Sequence, residues 1–214
     1  MKRLAVFLPA LLFAAGLIAA LLDLGPVAGE LGKSVAAHLP LSGVEHPVTA
    51  VLLNYRGYDT LLEVAVLLVA LLGCLAAGPK SPAAPAADPM LGDFARWLVP
   101  AMLPFAVYLL WLGAFRPGGA FQAGAVLAAS AILLHLAGRL PGWPLPGPGL
   151  RCGFAGGFLF FLGVAAGLWL AGGQLLGYPP AHAGLLILLI ESALTVSLGL
   201  LLAGLFLTGR EAGE

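Results

Sequence analysis

The sequence predicts an all-α integral membrane protein with about six transmembrane helices, arranged as two plus four, with both termini in the cytoplasm. Three observations lead there. Of 214 residues, 61% are apolar and 9% are Asp, Glu, Lys or Arg, where a soluble globular domain carries roughly 25% charged residues. Apolar runs recur along the chain at about 20 residues, the length an α-helix needs to cross the hydrocarbon of a bilayer. The basic residues are unevenly shared between alternate loops, which orients the spans. The formal net charge is zero, so nothing in the balance points to nucleic acid or another polyanion as partner.

The spans are expected near 3–23, 58–78, 95–115, 120–138, 153–173 and 183–207. They are apolar nearly all round, so periodicity does not separate them; Gly, Pro and charged clusters mark the breaks. The first run follows a basic tip, MKR, like a signal peptide. Its stretch from Leu4 to Leu22 is nineteen residues, long for a signal core and right for a span, and it is read as a retained helix beginning at Met1. The connection 24–55 is long, and VAGELGKSVAAHL within it is expected to form a short amphipathic helix at the interface. The segment GPKSPAAPAADPMLGDF, 78–94, is rich in Pro and Ala and reads as a solvated linker. It divides the chain into a two-helix part (1–78), the linker (79–94) and a four-helix part (95–214).

With the N-terminus inside, the inner segments hold Lys2, Arg3, Lys80, Arg96, Arg139, Arg151 and Arg210, and the outer ones Lys33, Arg56 and Arg116. Seven basic residues against three place both termini in the cytoplasm. In the third span Pro100 and Pro104 are expected to bend the helix. Trp97, Tyr108 and Trp111 read as interfacial anchors. In the fifth, Gly153-x-x-x-Gly157 and Gly163-x-x-x-Gly167 make small faces for close helix packing.

The candidate functional residues are the charges that enter these spans. In NYRGYDTLLEV, helical spacing puts Arg56, Asp59, Thr60 and Glu63 on one face. Arg56 is placed to compensate Asp59, and the pair reads first as an anchor for the helix end. Glu63 lies about 9 Å further along the helix than residue 57. Intramembrane acids are costly and by default functional, so Glu63, with Asp59, Thr60 and Arg56 beside it, is read as part of a proton or Na+ path. Glu191, in LLILLIESALTVSLGL, is a second intramembrane acid with Thr195 on its face. It admits two readings, a hydrogen bond across a helix interface or a place on an ion path. The four histidines are scattered, with no His-Glu-x-x-His pair, and no metal site is expected. No Gly-x-Ser-x-Gly elbow or Gly-rich phosphate loop occurs. Cys74 and Cys152 are not expected to pair. Neither a cofactor nor an enzymatic activity of the chain by itself is expected. The absence of an inverted repeat argues against a free-standing carrier.

Two stretches resemble a known family. VTAVLLNYRGYDTLLEVAVLLVALLG, 48–73, is similar to the segment near the C-terminus of the large A subunit of Mrp-type multisubunit Na+/H+ antiporters, a module that also occurs as the E subunit of energy-converting membrane-bound hydrogenases. The family pattern of aromatic-Arg-Gly-aromatic-Asp-Thr-x-x-Glu is met by Tyr55, Arg56, Gly57, Tyr58, Asp59, Thr60 and Glu63, with Asn54 before them. WLVPAMLPFAVYLLWLGAFRPGGAFQAGAVLAASAILL, 97–134, resembles the B subunit of the same antiporters (MnhB/MrpB-like). Gly113, Pro117, Gly118, Gly119, Phe121 and Gly124 fit its structural turn. Ala114 stands where that family has a histidine, and Ala120 where it has a third glycine.

The resemblance implies a fusion of two neighbouring subunits, joined through the linker. It implies a multi-pass protein of the inner (plasma) membrane that belongs to a multisubunit cation/proton antiporter and contributes to ion translocation and to assembly of the membrane arm. Other membrane subunits would be its partners, H+ and Na+ its ions, and Glu63 a residue implicated in their translocation. The alternatives are a membrane-arm subunit of an energy-converting hydrogenase or complex I-like redox complex, and a purely structural subunit.

Overall fold

The computed structural model describes residues 2–23, 28–77, 80–81, 88–143, 146–208 and 210–211. The chain forms two compact units, Met1–His38 and Leu39–Glu214. The first contains α1 (Lys2–Asp23) and most of α2 (Ala28–Ser42). Along α1 the side chains of 11–23 are exposed, among them Leu11, Leu12, Phe13 and Leu22. The helix expected at 27–39 is α2; Val27 lies outside the described residues. Glu30 sits in its first turn, where a negative charge complements the helix dipole.

The second unit contains the end of α2, then α3 (Pro47–Thr49), a π-helical segment (Ala50–Tyr55), α4 (Gly57–Ala77), α5 (Pro89–Leu112), α6 (Ala120–Leu136), α7 (Pro148–Leu170) and α8 (Pro180–Leu207). Four of these, α4, α5, α7 and α8, are long and apolar enough to cross a bilayer, and α6 is a shorter apolar helix. Proline opens α3, α5, α7 and α8, where its missing N–H leaves no hydrogen bond unmade. α5 starts six residues earlier than its apolar run suggests. Asp88 caps it by accepting from the Met90 N–H at 2.9 Å, so the last residues of the Pro/Ala-rich segment are helical. α5 continues through Pro100 and Pro104, and Trp97, Tyr108 and Trp111 are exposed along it. Lys80–Ser81 pairs in parallel with Arg210–Glu211. Both cysteines are free thiols.

The core is built on α8. Its Ile187, Ile190, Leu194 and Leu198 are buried with Leu61 and Val64 of α4 and Phe161 and Ala165 of α7. Glycines set the helix separations. A Cβ on Gly124 of α6 would lie 2.9 Å from Leu198 Cβ, and one on Gly199 2.9 Å from Leu127 Cβ. A Cβ on Gly157 of α7 would lie 2.6 Å from Ser197 Cβ, and the Ser197 hydroxyl donates to the Phe154 carbonyl at 2.7 Å. Gly204 faces Leu71 of α4. The order of these contacts makes α6 and α4 parallel to α8 and α7 antiparallel to it. Of the two expected small faces of α7, Gly153 and Gly157 pack against α8, while Gly163 and Gly167 have nothing within 4 Å of an added Cβ. At the far end of α6, buried His135 has its Nδ1 2.9 Å from the Leu140 carbonyl oxygen, which holds the turn that leads away from the helix.

The motif NYRGYDT forms an elbow. The backbone up to Tyr55 is π-helical, with the Arg56 N–H donating to the Val51 carbonyl at 2.8 Å; such wide turns in helices are rare and cluster at functional sites. Arg56 is the junction (φ −123°, ψ 29°), and α4 begins at Gly57. Thr60, buried, donates its hydroxyl to the Leu52 carbonyl at 2.6 Å, serving an acceptor near the junction. Asn54 donates to the Ser42 carbonyl at 2.8 Å and so holds the end of α2. A Cβ on Gly57 would press on Leu176 at 3.0 Å. The four residues expected on one helical face are therefore divided. Arg56 precedes α4 and pairs with Asp59, while Thr60 turns inward to the backbone.

Two substitutions test this packing by thermal unfolding in detergent. Gly157→Ala should destabilise the unit by about 1–3 kcal/mol through overpacking against α8, whereas Gly167→Ala should be neutral or slightly stabilising. Thr60→Val keeps the shape but strips the donor from the Leu52 carbonyl, and should cost about 1–3 kcal/mol.

Candidate functional site

Glu191 lies eleven residues into α8, about 16 Å along it, deeper than its place in the apolar run suggests because α8 begins at Pro180. It is 7% exposed. What meets it there is the connection between α5 and α6. After Leu112 the chain folds back on itself. The Gly119 N–H donates to the Leu109 carbonyl at 2.9 Å, and a Cβ on Gly118 would strike that same oxygen at 2.6 Å. A Cβ on Gly113 would lie 2.6 Å from Gly119 Cα. Gly119 adopts φ 108°, open to glycine and to few other residues. Pro117, exposed, leads into this fold, and Phe121 is partly buried against the core.

The turn therefore delivers the N-terminus of α6 to the side of α8. The Ala120 N–H donates to Glu191 Oε1 at 3.4 Å, and a Cβ on Gly119 would lie 2.6 Å from that oxygen. The first N–H groups of a helix carry partial positive charge, a favourable setting for a carboxylate. Among the described residues Ala120 is the sole donor to the carboxyl group. Thr195, on the same face, gives its hydroxyl to the Glu191 backbone carbonyl at 2.8 Å and not to the side chain.

Three hollows follow one another here. An open hollow of about 610 Å³ is lined by Arg56, Asp59, Glu63 and Phe121. Arg56 Nε donates to Asp59 Oδ2 at 2.6 Å, with both side chains about half exposed or more. A second cavity, about 250 Å³, is walled by Thr60, Glu63, Gly118, Gln122 and Glu191. A third, about 280 Å³, is walled by Glu45, Thr49, Ala114, Leu188 and Glu191. Glu63 belongs to the first and second, and Glu191 to the second and third. The structure thus brings Glu63 and Glu191, 128 positions apart in sequence, to one cavity, and it joins the elbow to the turn through a buried hydrogen bond from the Thr49 hydroxyl to the Gly113 carbonyl at 2.6 Å. Asp59 and Glu63 share the open hollow, and the counter-charge to Asp59 is Arg56.

Sequence reasoning passed over Gln122, Thr49 and Glu45, which are polar residues of loops and helix starts with no spacing signal of their own. It also passed over Tyr178, buried in the core between α7 and α8, whose hydroxyl has no hydrogen-bond partner among the described residues; burial pushes this phenol upward from its usual range. No group of three His, Cys, Asp or Glu side chains capable of holding a metal ion occurs among the described residues.

Comparison with known proteins places this geometry. Residues 90–208 match the family described as domain related to MnhB subunit of Na+/H+ antiporter. No curated protein matches the chain. A chain in the structure of the membrane-bound sulfane sulfur reductase, an archaeal respiratory membrane complex, is 27% identical with a TM-score of 0.71, and the match covers 97% of both chains. A chain of the Mrp complex from Dietzia sp. DQ12-45-1b shares the fold at 23% identity with a TM-score of 0.66; the match covers all of the present chain and 27% of that one. The matched family runs from the second residue of α5 through the end of α8, more than half of the chain, including the glycine turn and Glu191, and on that ground the chain belongs to the family of domains related to the MnhB subunit of Na+/H+ antiporters.

Proposed function

We propose that the chain is a membrane subunit of a multisubunit cation/proton antiporter-like complex, and that its elbow and glycine turn line part of the ion path. The observation that carries this reading is the meeting of Glu63 and Glu191 at one cavity in a member of an antiporter-subunit family. Acids at this depth are retained where they face a hydrated or protein-lined space. Glu63 is the acid that enters from the open hollow. Asp59 and Arg56 hold its approach as an ion pair, and Thr60 fixes the elbow that aims it. The chain carries no chemistry of its own beyond moving ions, H+ and Na+, with other membrane subunits as partners.

The full reading of the architecture is six spans, α1, α4, α5, α6, α7 and α8, with both termini cytoplasmic, in the inner (plasma) membrane. Alternating helix directions within the second unit and seven inner basic residues against three outer ones support it. Residues 1–78 then represent the A-subunit-like module, and the tether that follows gives way at Pro89, where α5 begins, to the MnhB-like domain. One chain of the Dietzia complex has the fold of the whole present chain, which supports the fusion.

A second reading is favoured by a specific observation. The sulfane sulfur reductase chain is matched over 97% of its own length, so a subunit of this size and layout serves in a respiratory membrane complex. The parent complex is then redox-driven, with the same ion path in its membrane arm. The subunits that co-purify decide between them: antiporter-like membrane subunits alone support the first reading, and iron–sulfur subunits the second.

In everted vesicles containing the whole complex, Glu63→Gln should leave assembly intact and lower ion-coupled proton flux by about two orders of magnitude, because the amide keeps the shape but does not titrate. Glu63→Asp should be milder. Wild-type flux in the Gln variant would leave Glu63 as an anchor.

A further inference from the structure

We propose that Glu191 is a proton-carrying station that continues the path from the cavity it shares with Glu63 into the cavity beneath Ala114. The proposal rests on the reading of Glu63 given above and extends it to the MnhB-like domain.

Glu191 lines both cavities at once. Its Oε1 receives the Ala120 N–H, and among the described residues Oε2 receives no donor. A residue needed only to pin α6 to α8 would fill its surroundings; Glu191, more than nine-tenths buried, borders space on two sides. Each cavity, at about 250 and 280 Å³, far exceeds the roughly 10–15 Å³ of probe-occupied volume that one water requires. Polar side chains continue the lining on either side: Glu63, Thr60 and Gln122 in one cavity, Thr49 and Glu45 in the other.

A proton suits this site better than a dehydrated metal cation. Hard cations take six or more oxygen ligands when stripped of water. Among the described residues no group of three His, Cys, Asp or Glu side chains is placed to hold a metal ion. A proton needs one acceptor and water on each side. In the step proposed, the Glu63 carboxylic acid gives its proton to water in the shared cavity, and that protonated water gives one to the Glu191 carboxylate, leaving Glu63 ionised and the water neutral. The Glu191 carboxylic acid then gives a proton to water in the Ala114 cavity, and the carboxylate is restored. Gly119 is part of the device, since a Cβ there would lie 2.6 Å from Oε1 and push the carboxyl group away. Ala114 is another, since its small side chain leaves the third cavity open.

The test uses the assembled complex in everted vesicles, with proton flux read by a pH-sensitive dye on addition of NaCl, and assembly followed on native gels. Glu191→Gln keeps an acceptor for the Ala120 N–H and removes the titration. The expected result is intact assembly with flux reduced by about two orders of magnitude, and substantial recovery in Glu191→Asp. Wild-type flux in Glu191→Gln, alongside a severe loss in Glu63→Gln, would overturn the station and leave the Glu63 reading standing. Wild-type flux in both variants would remove the Glu63 reading itself, and the station with it. Should Glu191→Gln fail to assemble, Ala114→Met decides, because it narrows the third cavity while leaving the Glu191 carboxyl group in the chain: lost flux supports the proposal and unchanged flux overturns it.

Discussion

The close approach of α6 to α8 governs what the rest of the molecule is able to do. Gly124 and Gly199 remove the side chains that would hold the two helices apart, and small residues at such crossings let backbones come within van der Waals reach in lipid, where no hydrophobic force separates protein from solvent. With the helices this close and parallel, the start of α6 cannot lie at the end of α8. It lies beside residue 191, and the connection from α5 must reach that depth. Non-helical backbone inside a membrane protein is tolerated where its polar groups are satisfied by protein or line a cavity. The glycine turn meets both conditions: the Gly119 N–H is taken by the Leu109 carbonyl, and Gly118 lines the cavity of Glu63 and Glu191.

The elbow at Arg56 solves the same problem from the other side. The segment that follows α2 has to redirect into α4, and the π-helical stretch that does so leaves backbone acceptors without the usual partners. Thr60 and Asn54 reach back to carbonyls of Leu52 and Ser42, so the polar residues of NYRGYDT are largely consumed in holding the bend. Glu63, three residues beyond that stretch, has no such duty. That division separates Glu63 from its neighbours more sharply than helical spacing alone, which places Arg56, Asp59, Thr60 and Glu63 together.

The existence of the helices was legible because a long apolar run in a chain with so few charges has one stable form, and the helices expected from the sequence correspond to α1, α4, α5, α6, α7 and α8. Their ends were less so: the start of α5 depends on a cap at Asp88 rather than on hydrophobicity. The π-helical segment was not legible, since its residues are as apolar as those of a strand or an α-helix and only the pairing of backbone groups distinguishes it. Of the site, the two acids announced themselves by their cost in lipid. Their convergence did not, because it depends on where α6 and α4 sit along α8, which glycine contacts set and no local pattern encodes. For the same reason Gly163-x-x-x-Gly167 and Gly153-x-x-x-Gly157 look alike in sequence, although one pair is used within the chain and the other faces outward.

The hydrogen bond from Thr49 to Gly113 bears on how the two parts of the chain work together. It runs from the segment that leads into the elbow to the residue that begins the glycine turn, across the Pro/Ala-rich linker in sequence. A tether alone would let the two parts separate and the cavity between their acids open or close freely. A buried hydroxyl whose loss would strand the Gly113 carbonyl ties the bends to each other, as does the packing of Leu61 and Val64 of α4 against α8. Glu63 and Glu191 are therefore held at one cavity by contacts internal to the second unit. The fold, through these contacts, sets where the two acids meet.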